Sequence, residues 1–298
     1  MTRRIRVSLA SIFTGVACSC LSLFGFQWPV ENRVLTATFG ESRWDHFHTG
    51  IDLGGGSQTV RPIEAGEVIY YFDRSDRRRT PPSGLGSFVV LEHERGIRSI
   101  YAHLEEGSIG TIDSVVDQST ELGRIGDTGA SLGKHLHLEI IDSELNNYVN
   151  PLLVLPVLED STEPVIRGVR IIPEGGDPDA IPIPLFDGAK VPSGNHRLLV
   201  ELFDLSQHVA YFCPMAPFRV SGFLNGSEVF DIAFESIGEE GGSQVMDLQK
   251  TIFDEFYYDD WVLDVAGVPF RVGEIQMEIV ARDITDNETV FRLAVSVE

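Results

Sequence analysis

The chain has 298 residues, which at roughly 150 residues per domain points to two domains. It is 43% hydrophobic and 23% charged, a globular composition long enough to bury sizeable cores without disulfides. Acidic residues outnumber basic ones 45 to 23, for a net charge of −22, which excludes the cationic footprint of a nucleic-acid binder and electrostatic docking on anionic lipid.

In chain order, Arg3, Arg4 and Arg6 precede an uncharged apolar run from Val7 to Phe26. Residues 1–26 therefore read as a secretory signal, or as a retained membrane anchor. Cys18 and Cys20 offer acylation as a third fate, although the residues before them match a lipoprotein cleavage site poorly. Export to the periplasm or cell envelope is the expectation. Only Cys213 lies beyond this leader, so no intramolecular disulfide framework exists; it reads as a small buried hydrophobe.

From residue 27 to 158 the sequence consists of short apolar runs cut by glycine. Val89–Leu91, Ile97–Leu104, Ile109–Val116 and Leu136–Ile141 have strand length, and no stretch keeps a helical period. The basic stretch from Asp73 to Ser83 (with Arg74, Arg77, Arg78 and Arg79) reads as a loop. Glu159–Pro164 is polar, lacks large apolar residues and reads as a linker. Strands resume after it at Val165–Ile172, Leu198–Phe203, Phe218–Leu224 and Glu228–Phe234. Asn225-Gly226 is a hairpin turn, and Ile275–Val297 a second hairpin turning at Asp286-Asn287. The expectation is an all-β protein: an antiparallel β-sheet domain over 27–158, then an immunoglobulin-like β-sandwich over 159–298.

The histidines carry the chemistry. Six of the eight precede the linker. His48-Thr-Gly-Ile-Asp52 places an imidazole and a carboxylate at even spacing, hence on one face of an extended segment. Both are ordinary zinc ligands. In His135-Leu136-His137, two imidazoles face one side and Leu136 the other. Two histidines on one face are seldom needed for packing. His103, within Tyr101-Ala-His103-Leu104, gains weight only from this company. Glu139, two residues after His137, is either a partner to an imidazole or a solvent-facing acid. His46 reads as a bystander, His93 as structural, and His196 and His208 as surface residues. His-Glu-x-x-His, a phosphate-cradling glycine loop and Gly-x-Ser-x-Gly are absent.

Together with Thr38-Phe39-Gly40, Ala65-Gly66-Glu67-Val68, Val89–His93, Gly126-Asp-Thr-Gly129 and Val149-Asn-Pro151, these motifs resemble the lysostaphin-type zinc endopeptidases. This is the LytM or β-lytic group, which cuts peptidoglycan peptides. The likeness covers about residues 27–158 and leaves the C-terminal part outside. It implies that His48, Asp52 and His137 hold one zinc ion per chain, and that His103 and His135 are the catalytic histidines. The residues agree: three protein ligands leave a position for water, as catalytic zinc requires. An exported zinc metalloendopeptidase acting on peptidoglycan peptides is the expected function. A non-catalytic scaffold or amidase activator, and a zinc peptidase with a protein substrate, are the alternatives. The C-terminal domain is expected to position the enzyme or contact a protein partner.

Overall fold

The computed structural model describes residues 25–76, 84–175, 181–209, 212–246 and 251–298. The leader, Arg77–Arg79 and most of the basic loop lie outside the described residues. Strands dominate, and the one α-helix among the described residues is the four-residue turn Phe253–Phe256. The all-β expectation holds.

The largest sheet is antiparallel and centred on Leu136–Asp142. One edge of that strand pairs with Ile97–Leu104, which continues to Ser87–His93 and Gly66–Phe72. The other edge is shared: Gly50–Leu53 pairs with its first half and Asn147–Val149 with its second. Leu136–Asp142 is thus covered on both edges, and six of its seven residues are buried. Ile51, Leu53, Leu91, Tyr101, Leu104, Leu136 and Leu138 form the core beneath it. The expected strand Ile109–Val116 shrinks to Val115–Val116. The Ile109 N–H donates instead to the Asp73 carboxylate, as does that of Gly107.

Two further sheets build a second β domain. One runs Ile183–Leu185, Val165–Pro173, Gly194–Leu205, Val262–Phe270, Tyr257–Asp259; the other Ala189–Val191, Glu288–Val297, Gly273–Arg282, Arg219–Leu224, Ser227–Ala233. Val169, Leu198 and Val200 from the first share a core with Val220, Ile279 and Val295 from the second. Asn225 and Gly226 both have positive φ (50° and 79°) between strands paired at Leu224 and Ser227, as a type I′ hairpin requires. His196 corrects an expectation: it is 1% exposed, stacked on Phe270.

The sheets cross the linker. Ser236–Glu240 pairs with Asn147–Val149, and Ser243–Met246 and Thr251–Ile252 extend the first domain's sheet beyond it. In exchange, Phe39 and Phe47 sit in the second domain's core. Phe47 is fully buried, with its ring edge-on to Phe253 and Phe256 at 5.1 and 5.4 Å. Gly40 lies flat against the Phe234 ring, where a Cβ would clash, and its carbonyl accepts from the Tyr257 hydroxyl at 2.7 Å.

Candidate metal centre and flanking histidines

The pairing of Gly50–Leu53 with Leu136–Asp142 sets Asp52 directly opposite His137. Gly50 makes this approach feasible, because any Cβ there would strike the Leu138 carbonyl and the His137 ring. His48 arrives from the hairpin Gly40–His48, closed by Gly40 N–H to His48 O and His48 N–H to Glu41 O, both 2.8 Å.

Three atoms converge: Asp52 Oδ1 lies 3.1 Å from His48 Nε2 and 2.9 Å from His137 Nδ1, and the two nitrogens are 3.0 Å apart. Outer partners fix both tautomers. His48 Nδ1 donates to the Thr38 carbonyl at 2.7 Å. His137 Nε2 donates to Glu139 Oε1 at 3.1 Å, and Glu139, itself 6% exposed, also accepts from the Thr49 hydroxyl. With both rings neutral, two imidazole lone pairs and a carboxylate oxygen face one point. Such a point calls for a cation. Tetrahedral zinc with bonds of about 2.0–2.1 Å sets its ligand atoms about 3.3 Å apart, close to what is seen here. The donor set fits zinc, and the orienting carboxylate and carbonyl behind the histidines are the partners that zinc-bound imidazoles have.

Electrostatics agree. Burial alone would push the His137 imidazole down, but Asp52 and Glu139 on either side outweigh it and raise it to about 10. Burial likewise opposes ionisation of Asp52, and His48 and His137 nonetheless hold it well below the usual carboxylate range. The centre favours positive charge, carried by a proton on His137 or by a cation in its place.

His103 and His135 stand beside this point. His103 is the next-to-last residue of the strand Ile97–Leu104 and has φ +59°, a conformation costing a non-glycine residue about 1–2 kcal/mol. It is held there by its N–H to the Leu85 carbonyl (2.9 Å) and by Nδ1 donating to the Thr128 carbonyl (2.8 Å). Its Nε2 is left as the bare face. Burial, then the neighbouring His137 and His135, push this imidazole down to about 4. His135 Nδ1 donates to the Gly133 carbonyl at 2.9 Å, its Nε2 lies 3.7 Å from Asp52 Oδ1, and its ring is 4.8 Å from that of His103. All five residues singled out in the sequence thus line one cleft.

Of the remaining histidines, His46 lines the cleft rim, exposed and paired with Asp45. His93 is buried between the Ala65 carbonyl and the Ser99 hydroxyl. Cys213 is half-buried and donates to the Thr36 carbonyl. The second domain supplies Pro214, Asp260 and Trp261 to the cleft wall, which also carries Trp44 and Leu132, both exposed. Sequence reasoning missed Glu41 and Arg43. Arg43 Nη2 donates to Asp52 Oδ2 at 3.2 Å and Nη1 to Glu41 Oε2 at 2.9 Å. A second carboxylate group, Asp160, Asp204 and Asp283, meets at the seam between the domains.

An antiparallel sheet thus brings two histidines and an aspartate to one point that could hold a metal ion, flanked by two further histidines. Residues 46–151 match the model of Peptidase family M23. A second family model, without a functional description, matches residues 163–298. The chain is 33% identical over 114 residues to the DD-carboxypeptidase/endopeptidase Mpg of Neisseria meningitidis serogroup B, covering 38% of this chain and 24% of that protein. An uncharacterized protein of Treponema pallidum is 27% identical over 109 residues, covering 33% of this chain and 74% of that one. The chain thus spans about a quarter of the length of its Neisseria relative. Among solved structures, a zinc-containing peptidase from Vibrio cholerae aligns with 23% identity and a TM-score of 0.36, covering 45% of this chain and 41% of that one. The catalytic domain of lysostaphin from Staphylococcus simulans aligns with 22% identity and a TM-score of 0.31, covering 38% of this chain and 82% of that one.

Proposed function

We propose that the protein is an exported zinc metalloendopeptidase that hydrolyses peptide bonds in peptidoglycan, working in the periplasm or cell envelope. The observation that carries this reading is the convergence of His48 Nε2, Asp52 Oδ1 and His137 Nδ1 beside the bare faces of His103 and His135 in an open cleft.

His48, Asp52 and His137 would hold the ion. Zinc in such a site polarises the scissile carbonyl and lowers the pKa of its water to about 7. The chain's own groups do the rest. A neutral imidazole with Nε2 bare can take a proton and return it to the leaving amine. A second imidazole, donating from Nε2, can stabilise the oxygen on which charge develops. His103 and His135 share these two roles. Burial keeps His103 neutral, which suits it to accept a proton. An intact set of five supports catalysis over a scaffold that has lost its ligands.

The experiment is a digest of isolated peptidoglycan with and without chelator, its products read by mass spectrometry. Chelator-sensitive loss of cross-linked or stem peptides is the expected result. Stoichiometric zinc without any cleavage of peptidoglycan would refute this substrate and favour a protein one. Absence of bound zinc would refute the enzyme.

A further inference from the structure

The metal reading leaves Glu41 and Arg43 without a role, yet they close a ring of hydrogen bonds around two of the three ligands. His48 Nδ1 donates to the Thr38 carbonyl at 2.7 Å. The Thr38 N–H donates to Glu41 Oε1. Arg43 Nη1 donates to Glu41 Oε2 at 2.9 Å, and Nη2 to Asp52 Oδ2 at 3.2 Å. Asp52 Oδ1 then stands 3.1 Å from His48 Nε2, where the ring closes. The Thr38 hydroxyl donates to the Ala216 carbonyl at 2.9 Å, tying the ring to the second domain.

Glu41 is 3% exposed, and a carboxylate so buried is costly unless paired. Arg43 neutralises it and reaches Asp52 with the same planar guanidinium. A lysine, with one nitrogen and no fork, cannot span two carboxylates this way.

The two oxygens of Asp52 therefore face different partners. Oδ1 points at the imidazole lone pairs and Oδ2 at Arg43. A free carboxylate can bind a metal through one oxygen or both. A charge-assisted hydrogen bond on Oδ2 removes the second choice. We propose that Arg43 and Glu41 are positioning residues that hold Asp52 to one-oxygen coordination and His48 in its Nε2-facing tautomer, so that the ring sets the coordination number and keeps a position open for water. This rests on the metal reading above.

A competing role exists for Arg43. Its side chain is 31% exposed and lines the cleft, so it could instead contact substrate. The two roles separate in measurement. A substrate contact changes KM and leaves the metal alone; a positioning residue changes the metal.

The test is the visible spectrum of the cobalt-substituted full chain, with zinc affinity by chelator competition, for the parent and for R43Q, R43K and E41Q. The parent is expected to show the intense bands of four-coordinate cobalt. R43Q should show bands several-fold weaker, from a higher coordination number, and a 10–100-fold loss of zinc affinity. R43K should restore the affinity only in part, and E41Q should move both readouts in the same direction by less. Near-ultraviolet circular dichroism of the metal-free proteins checks the fold, and if R43Q fails to fold, E41Q and R43K decide. An unchanged spectrum with zinc affinity within twofold of the parent would overturn the proposal and leave the metal reading standing. A parent that binds neither metal would overturn both.

Discussion

Phe47 links the candidate metal centre to the second domain, and its truncation to alanine tests that link. The side chain is fully buried, edge-on to Phe253 and Phe256 and 5.9 Å from Tyr257, while its N–H donates to Gln244 Oε1 at 2.7 Å. Its own backbone belongs to the hairpin that ends in the candidate ligand His48. Removing a buried phenylalanine costs about 3–5 kcal/mol, a large part of the ~5–15 kcal/mol that holds a domain together. At roughly 2–4 °C per kcal/mol for a chain of this size, the unfolding midpoint of F47A should fall by about 6–20 °C. The cooperative transition should also begin to separate into two, because the lost contact spans the domains. Zinc affinity should fall as well, since His48 loses its seat. Denaturant titration followed by tryptophan fluorescence gives the first quantity, and the F47A/F253A double-mutant cycle isolates the contact. A coupling of about 0.5–1.5 kcal/mol is expected for the aromatic pair. Destabilisation under 1 kcal/mol, or strict additivity in the cycle, would refute the reasoning.

Three further outcomes follow from the site and the seam. H135A should lower hydrolysis by about 10²–10⁴-fold while one zinc stays bound, measured by rate and metal content; a normal rate would remove His135 from the mechanism. E139A should lower zinc affinity about 10–100-fold by freeing the His137 tautomer, and E139Q by less, measured by chelator competition. Asp204 should make stability depend on pH. Burial, then Asp283 and Asp160, raise its carboxyl to about 7. Between about pH 4 and 7 the folded protein keeps a proton that the unfolded chain has released, so stability falls as pH rises through that window. D204N should abolish the fall and stabilise the protein at pH 8 by up to ~4 kcal/mol, read from denaturation midpoints at pH 5 and pH 8.

What could be read from the sequence was local. In His135-Leu136-His137 the alternation alone placed Leu136 in the core and both imidazoles on the cleft side, and the structure agrees. Asn225-Gly226 announced its turn through residues that tolerate positive φ. Glu139, left open between partner and solvent, is settled by its hydrogen bond to His137. Longer-range features carried no local mark. Arg43 reaches Asp52 only because the hairpin Gly40–His48 folds back with Trp44 at φ +70°, a conformation nothing in Arg-Trp-Asp foretells. His196 is buried because its strand Gly194–Leu205 lies inside a sheet whose neighbours come from Val165–Pro173 and Val262–Phe270. The pairing of Ser236–Glu240 with Asn147–Val149 joins residues far apart in the chain, and pattern within either strand says nothing of it.

That pairing changes what a separated peptidase domain would be. A chain ending at residue 158 keeps all five cleft residues, so on sequence grounds it should be an active minimal enzyme. The contacts argue otherwise. It loses the strand that covers Asn147–Val149, the Phe234 ring against Gly40, the Tyr257 hydroxyl on the Gly40 carbonyl and the Ala216 carbonyl that anchors Thr38. It also leaves Phe39 and Phe47, 1% and 0% exposed in the whole chain, facing water on the segment that delivers His48. At about 1.5–3 kcal/mol for each large apolar side chain uncovered, these two alone cost a large part of a domain's stability, before the opened sheet edge invites association. The truncated chain is therefore expected to be aggregation-prone and to bind zinc at least tenfold more weakly, measured by size-exclusion chromatography and chelator competition. A monomeric, fully active 27–158 fragment, compared with 27–298, would show that the second domain is an attachment. The expected failure would show that it is a wall of the site.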